Sequence, residues 1–422
     1  MKNEAGIAFK IIATLSIVYV ASNFFRSSIS VIAPDIMDDL SLTHEQLGIV
    51  GGIFFIAFAV FQVPVGIFLD RYGPRKTICG LMLISVLGSF GFALASSFME
   101  LSIARFFIGI GCSPVLMGSL VIISRWLSAE RFAFYAALVV SLGGLGNIFA
   151  TAPTAYLADL TGWRDVFLLA GVVTALSLLF GFLIIKDAPP GHSFLERKAE
   201  SLKDTLRGVL TIIKDRQFQY VFAINLVIYG VVMSIVGLWG SHFLRDIYDM
   251  DLADRGTILL CMTIAMITGS MMYGWLDGVF RNRKHLVIYA AGITVLVLCV
   301  LAAMPVIEVW QIASLLIFLC FIGSYGVVIM AHGRSIFPEK LLGRGIATLN
   351  TAVFLGVFLM QAMGGFIVGN FVRDDGSAPL IAYKALFLAI AGVLAIAVLI
   401  YSLSLDSKTQ NRKVGEPETN TS

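Results

Sequence analysis

Gly66-Ile67-Phe68-Leu69-Asp70-Arg71-Tyr72-Gly73-Pro74-Arg75-Lys76 is the stretch from which the rest of the chain can be read. An acid closes one apolar run, three cations follow within six residues, and a second apolar run starts at once beyond them. Gly73-Pro74 suits a tight turn between two helices. Gly66, one helical turn before Asp70, permits close approach of a neighbouring helix. Charge pairs from Asp70, Arg71, Arg75 and Lys76, with helix-terminus interactions, can latch adjacent helices on this face. An ordinary polar loop accounts for the cations, but not for Gly66 and Asp70 one turn apart.

The composition on either side says what solvent such helices sit in. The 422 residues are 58% hydrophobic and 14% charged, with mean hydropathy +0.90, whereas a soluble domain carries about 25% charged residues. Crossing ~30 Å of hydrocarbon takes roughly 20 largely apolar residues. Such runs fall near 8–34, 46–69, 77–97, 100–125, 133–158, 165–186, 218–244, 254–277, 285–305, 309–332, 343–371 and 380–404. Helix is the expected state of each, because lipid offers no partner to an open backbone and the alternation of a membrane barrel is absent. The first run passes Pro34 without a small-residue cleavage site, so a permanent helix is expected, not a removable signal.

With the N-terminus placed in the cytoplasm, 23 of the 30 Lys and Arg fall on the cytoplasmic side, five outside and two, Arg26 and Arg105, within spans. The opposite orientation violates the positive-inside rule. Both termini are therefore expected in the cytoplasm. The same division puts 14 of the 27 acids outside and 13 inside, leaving no carboxylate at mid-membrane. All five cysteines lie in expected spans without CxxC spacing, which points to packing, not to a metal or a disulfide.

The longest polar break divides the chain into an N-terminal six-helix bundle (1–186), a cytoplasmic linker (187–217) and a C-terminal six-helix bundle (218–405). An amphipathic helix is read over Leu202–Ile213 and disorder over the tail 406–422. A loose repeat relates the halves: Asp277, Arg281, Arg283 and Lys284 stand between spans eight and nine as Asp70 to Lys76 stand between two and three.

The opening stretch is similar throughout to the loop signature of the major facilitator superfamily, G-x-x-x-D-[RK]-x-G-[RP]-[RK]-[RK]. The second copy departs from it at Tyr273. Arg105-Phe-Phe-Ile-Gly109-Ile-Gly111 and Gly162-Trp163-Arg164-Asp-Val-Phe167 also resemble that family, and the likeness covers nearly the whole chain. Asn23-Phe-Phe-Arg26 to Pro34 and Ile123-Ser-Arg125-Trp126 resemble its organic-anion (anion:cation symporter) branch, to which nitrate/nitrite-type carriers are also similar. The branch usually has an Asp before the span-one Arg and a Glu after Gly-Ile-Gly; Phe25 and Cys112 stand there instead. The resemblance implies a monomeric transporter of twelve transmembrane helices in two six-helix bundles, in the plasma or bacterial inner membrane. It would work by alternating access on a small-molecule substrate, with or without a coupling ion or counter-substrate. Asp70, Arg71, Arg75 and Lys76, with Gly66, Gly73, Asp277 and Arg281, would act as its conformational gate.

Arg26 is the most informative residue for the site. A cation at a span centre costs roughly 2.5–3.5 kcal/mol, so it is expected to face a watery cavity or a partner. Tyr19, Asn23, Arg26 and Ser30 recur on one helical face, a stripe suited to an anion. The bland alternative is that Arg26 caps carbonyls or reaches for the surface. Arg105 reads as structural or substrate-binding. Asn225 and Tyr229 in span seven, and Asn350 with Phe354, Phe358 and Gln361 in span eleven, either line the cavity or hold helices together. No cofactor, metal or nucleic-acid partner is implied, no GxxxxGK[ST] is present, and no catalytic cluster gathers in a polar segment, so an enzyme is not expected. The leading expectation is carriage of an anionic metabolite. An exporter of drugs, siderophores or other hydrophobic or metal-complexed compounds is the alternative.

Overall fold

The computed structural model describes residues 2–189, 212–280, 282–336, 342–373 and 377–405. Among these are twelve helices long and apolar enough to cross a membrane. Spans one to six are Phe9–Ser27, His44–Tyr72, Pro74–Leu94, Phe98–Trp126, Phe134–Thr161 and Trp163–Ile184. Spans seven to twelve are Arg216–Tyr248, Leu252–Val279, Arg283–Ala303, Val309–Ser335, Gly345–Gly369 and Leu380–Ser402. The expected runs agree to within a few residues. Arg281, the linker residues 190–211 and the tail 406–422 lie outside the described residues, so the amphipathic helix read over Leu202–Ile213 does too, apart from Ile212 and Ile213.

With twelve crossings the connections fall alternately at two ends. One end carries Gly73, Asp187 and the end of span twelve and is called the termini end; the other carries 40–43, 249–251, 370–373 and 377–379 and is called the loop end. Three helices that begin at the loop end carry side-chain caps: Thr43 and Gln46 form a reciprocal capping box, and Ser97 and Asp251 accept from Glu100 N and Asp254 N. Each cap satisfies a backbone donor that the first helical turn cannot.

Several spans are broken near their middle. Span one ends its first helix at Ser27 and continues as Ile29–Asp39, where Pro34 has no N–H to give the Ser30 carbonyl. Span four breaks at Ser113-Pro114, span five between Phe149 and Ala152 ahead of Pro153, and span ten between Ile322 and Gly326. Span seven carries a π-helical turn over Ile235–Trp239, which its sequence does not announce.

Spans one to six pack chiefly on one another, and so do spans seven to twelve. Within the first group, glycines let helices close up: a Cβ at Gly109 would lie against the Phe54 carbonyl, and one at Gly146 against that of Val20. The two groups meet along span two against span eleven and span five against span eight. Gly48 and Gly52 bring span two onto the backbone of Gln361, Gly365 and Phe358.

Candidate functional site

Arg26 stands at the end of the first helix of span one, half-buried, and no carboxylate pairs with it among the described residues. Its guanidinium carbon lies 5.4 Å from the Phe58 ring centre and 5.2 Å from that of Phe354. The two rings are 4.2 Å apart, so both lie on one side of the cation and form an aromatic floor. Phe58 comes from span two and Phe354 from span eleven, so each half supplies one tile. Tyr19 and Tyr229 bring hydroxyls into electrostatic range of the same guanidinium. Its Nε is buried and unpartnered. Arg26 thus neither caps carbonyls nor reaches for the surface.

The structure sorts the other expected ligands. Asn23 is buried and donates to the Gly143 carbonyl at 3.1 Å, tying span one to span five. The same notch holds the Tyr19 ring, which occupies the space a Gly143 side chain would need. Asn225 donates to the Leu349 carbonyl at 2.6 Å and keeps a buried, unpartnered Oδ1. Tyr229 and Asn350 are half-buried. Arg105 is wholly buried; it donates to the carbonyls of Phe25 at 2.7 Å and Arg26 at 3.4 Å, and lies over the Phe54 ring at 5.0 Å. Those carbonyls end the broken first helix, where partial negative charge collects. The geometry therefore makes Arg105 the brace that fixes the backbone of Arg26.

Towards the loop end from this site, the halves are sealed. Span one presents Asp35, Asp38 and Asp39: Asp38 meets Arg245 at 2.8 Å, Asp35 meets Arg255 at 3.4 Å, and Asp39 binds Arg164. The first two pairs cross between the halves, as does the Ser241 hydroxyl, which donates to the Val31 carbonyl at 3.1 Å. His44 of span two stacks on Trp239 of the π turn, with His242 edge-on to His44. These pairings were not foreseen, because nothing in the spacing says which loop-end acid meets which arginine.

A twelve-helix fold with a broken first span, glycine seams and a shared central site matches known proteins. The family model for the Major Facilitator Superfamily matches residues 15–333. The chain belongs to that superfamily. A probable sulfoacetate transporter of Cupriavidus necator is 24% identical over 68% of this chain and 69% of its own length. The sialic acid transporter of Escherichia coli is 26% identical over 92% of this chain and 94% of its own. Among solved structures, a bacterial homologue of the human lysosomal transporter Spinster, in an inward-facing and occupied conformation, gives a TM-score of 0.80 at 17% identity, covering 97% of this chain and 98% of that one.

The superfamily's loop signature sits at the termini end. Gly73 adopts φ +81° and ψ 157°, open essentially to glycine alone. That bend aims the Arg75 backbone N–H at Asp187 Oδ1, 2.7 Å away at the end of span six. The Arg75 side chain lies over the Phe182 ring at 4.4 Å, and Arg125 and Trp126 Nε1 donate to the carbonyls of Asp187 and Lys186. Arg71 lies over the Tyr72 ring, Asp70 and Lys76 are exposed, and Gly66 has open space where a side chain would project. The signature therefore binds span six of its own half, through Asp187. In the second copy Asp277 pairs with Arg283, at 2.7 and 2.9 Å, and Arg281 lies outside the described residues.

Proposed function

We propose that this superfamily member is a secondary transporter that carries a small organic anion by exposing the site around Arg26 alternately at the two ends. One observation carries the reading: a half-buried guanidinium at mid-span, without a carboxylate partner, ringed by side chains from both halves. Left alone such a charge is costly in the membrane, and an anion offsets that cost. Arg26 binds the anion, Tyr19 and Tyr229 orient it, and Asn225 and Asn350 complete the cavity from the other half. Asn23 acts one step back, holding span one against span five. The Lys and Arg gathered at the termini end support placing that end in the cytoplasm of a plasma or bacterial inner membrane. The sealed loop end then faces outward, so the conformation described is closed to the outside. The stretch from Gly66 to Lys76 and its counterpart at Asp277 serve as the termini-end gate of the opposite state. The sulfoacetate and sialic acid named for the two relatives are both acids, which supports an anionic cargo.

The test is uptake into proteoliposomes from a panel of carboxylates, sulfonates, nitrate and neutral compounds, for the wild type and Arg26→Ala. Anion uptake that falls at least tenfold in Arg26→Ala, in a protein that still melts cooperatively, is the expected result. Transport of neutral or cationic compounds alone, at a rate untouched by Arg26→Ala, would overturn the reading.

A further inference from the structure

Among the described residues, the surroundings of Arg26 offer a ligand one full positive charge. Two described cations stand deepest between the two ends: Arg26, beside the break that joins Lys2–Ser27 to Ile29–Asp39 in span one, and Arg105, seven residues into Phe98–Trp126. Arg105 has no accessible surface, and its charge is set against two carbonyls at a helix end, where about half a negative charge resides. Arg26 alone is both charged and reachable. The groups around it discourage a second negative charge. The Phe58 and Phe354 rings turn electron-rich faces towards the cation, and the buried Asn225 Oδ1 is a spare acceptor that wants a donor. Asn225 and Asn350, each four residues before Tyr229 and Phe354, lie one turn nearer the termini end on their helices, where the body of a ligand held by Arg26 would extend. A cavity of ≈ 970 Å³ at the loop end is no rival for an anion, since Asp38, Glu45, Asp246 and Asp249 line it beside Arg245.

Resting on the anion reading above, we infer that the site selects a monoanion: one carboxylate or sulfonate head on Arg26, and an uncharged body whose hydroxyl or amide donors meet Asn225 and Asn350. A second ionised group would be stripped of water with no cation to receive it. One consequence concerns coupling. An acid able to ionise twice enters as its singly charged form, so the proton travels on the substrate and no carboxylate is needed at mid-membrane to relay it.

A charge series on one sugar scaffold tests this in proteoliposomes of the full chain: glucose, glucuronate and glucose 6-phosphate, whose second ionisation lies near pH 6. Each is scored by uptake and, as competitor, by the shift it produces in the melting temperature of the purified protein. Glucuronate should outperform glucose 6-phosphate at least tenfold at pH 7.5. Lowering the pH to 5.5 should raise the response to glucose 6-phosphate about tenfold and that to glucuronate less than twofold. In Asn350→Lys, which adds a cation beside the substrate body, glucose 6-phosphate at pH 7.5 should gain at least tenfold on glucuronate. Equal responses to the singly and doubly charged sugars at pH 7.5, unchanged by Asn350→Lys, would overturn the monoanion inference while leaving an anion carrier standing. A response to glucose alone would remove both.

Discussion

Arg26 and Arg105 show how far the same side chain is decided by its surroundings. Their immediate sequence neighbours are alike and apolar, and the sequence alone leaves both as candidate ligands. What separates them is the break at Ser28, which frees the carbonyls that Arg105 takes up and which shows only in three dimensions. Replacing Arg105 by Met, which keeps much of the volume, takes the donor from the Arg26 carbonyl and leaves that of Phe25 with the Ser28 hydroxyl alone, a loss of about 1–3 kcal/mol. Melting of the purified protein should fall accordingly, and anion affinity should weaken because the backbone of Arg26 loses its brace. An unchanged melting temperature in Arg105→Met would refute that role. The stripe Tyr19, Asn23, Arg26 was legible as a face, since helical spacing fixes it. That Asn23 spends its amide on Gly143 was not, because the partner is 120 residues away.

At the scale of elements, glycine decides who touches whom. The span-five glycines Gly143 and Gly146 pack closely on the Tyr19 face of span one. A methyl group at position 143 would collide with the Tyr19 ring, so Gly143→Ala should displace that ring and raise the KM for the anion several-fold, with a smaller effect on the maximal rate. An unaltered KM would mean that Tyr19 does not orient the substrate. Gly73 has a different task. Its backbone angles exclude side chains, and a Cβ there would stand 2.7 Å from Asp187 Oδ2. Gly73→Ala should therefore cost about 1–3 kcal/mol, read as a lower melting temperature. The same drop in Gly73→Ala and in Asp187→Asn would show that turn and acid work together. The motif was plain in the sequence, but its acid partner was not, since Asp187 sits at the mouth of a linker and carries no spacing signal.

For the molecule as a whole, the twelve crossings and the two halves followed from hydropathy and charge, because lipid imposes helix and length alike. How the halves meet did not, since it depends on pairings between residues more than 200 positions apart, such as Asp38 with Arg245 and Asp35 with Arg255. If each pair contributes about 1 kcal/mol to the seal, Arg245→Ala with Arg255→Ala should markedly raise the labelling rate of a Leu238→Cys reporter in a cysteine-free background. Leu238 is buried in the seam, so a membrane-impermeant reagent reaches it only when the loop end parts. Equal rates with and without the arginines would show that packing of His44, Trp239 and His242 holds the seal by itself. The aromatic floor under Arg26 has its two tiles on different halves, so neither half can keep the barrier when the other swings away. A conduit with a fixed wall and a hinged flap could be propped open and pass a current. On the alternating-access reading proposed above, the wall is the meeting of the halves, and passage would be metered by the stroke of the machine: one cargo per swing, with no setting in between.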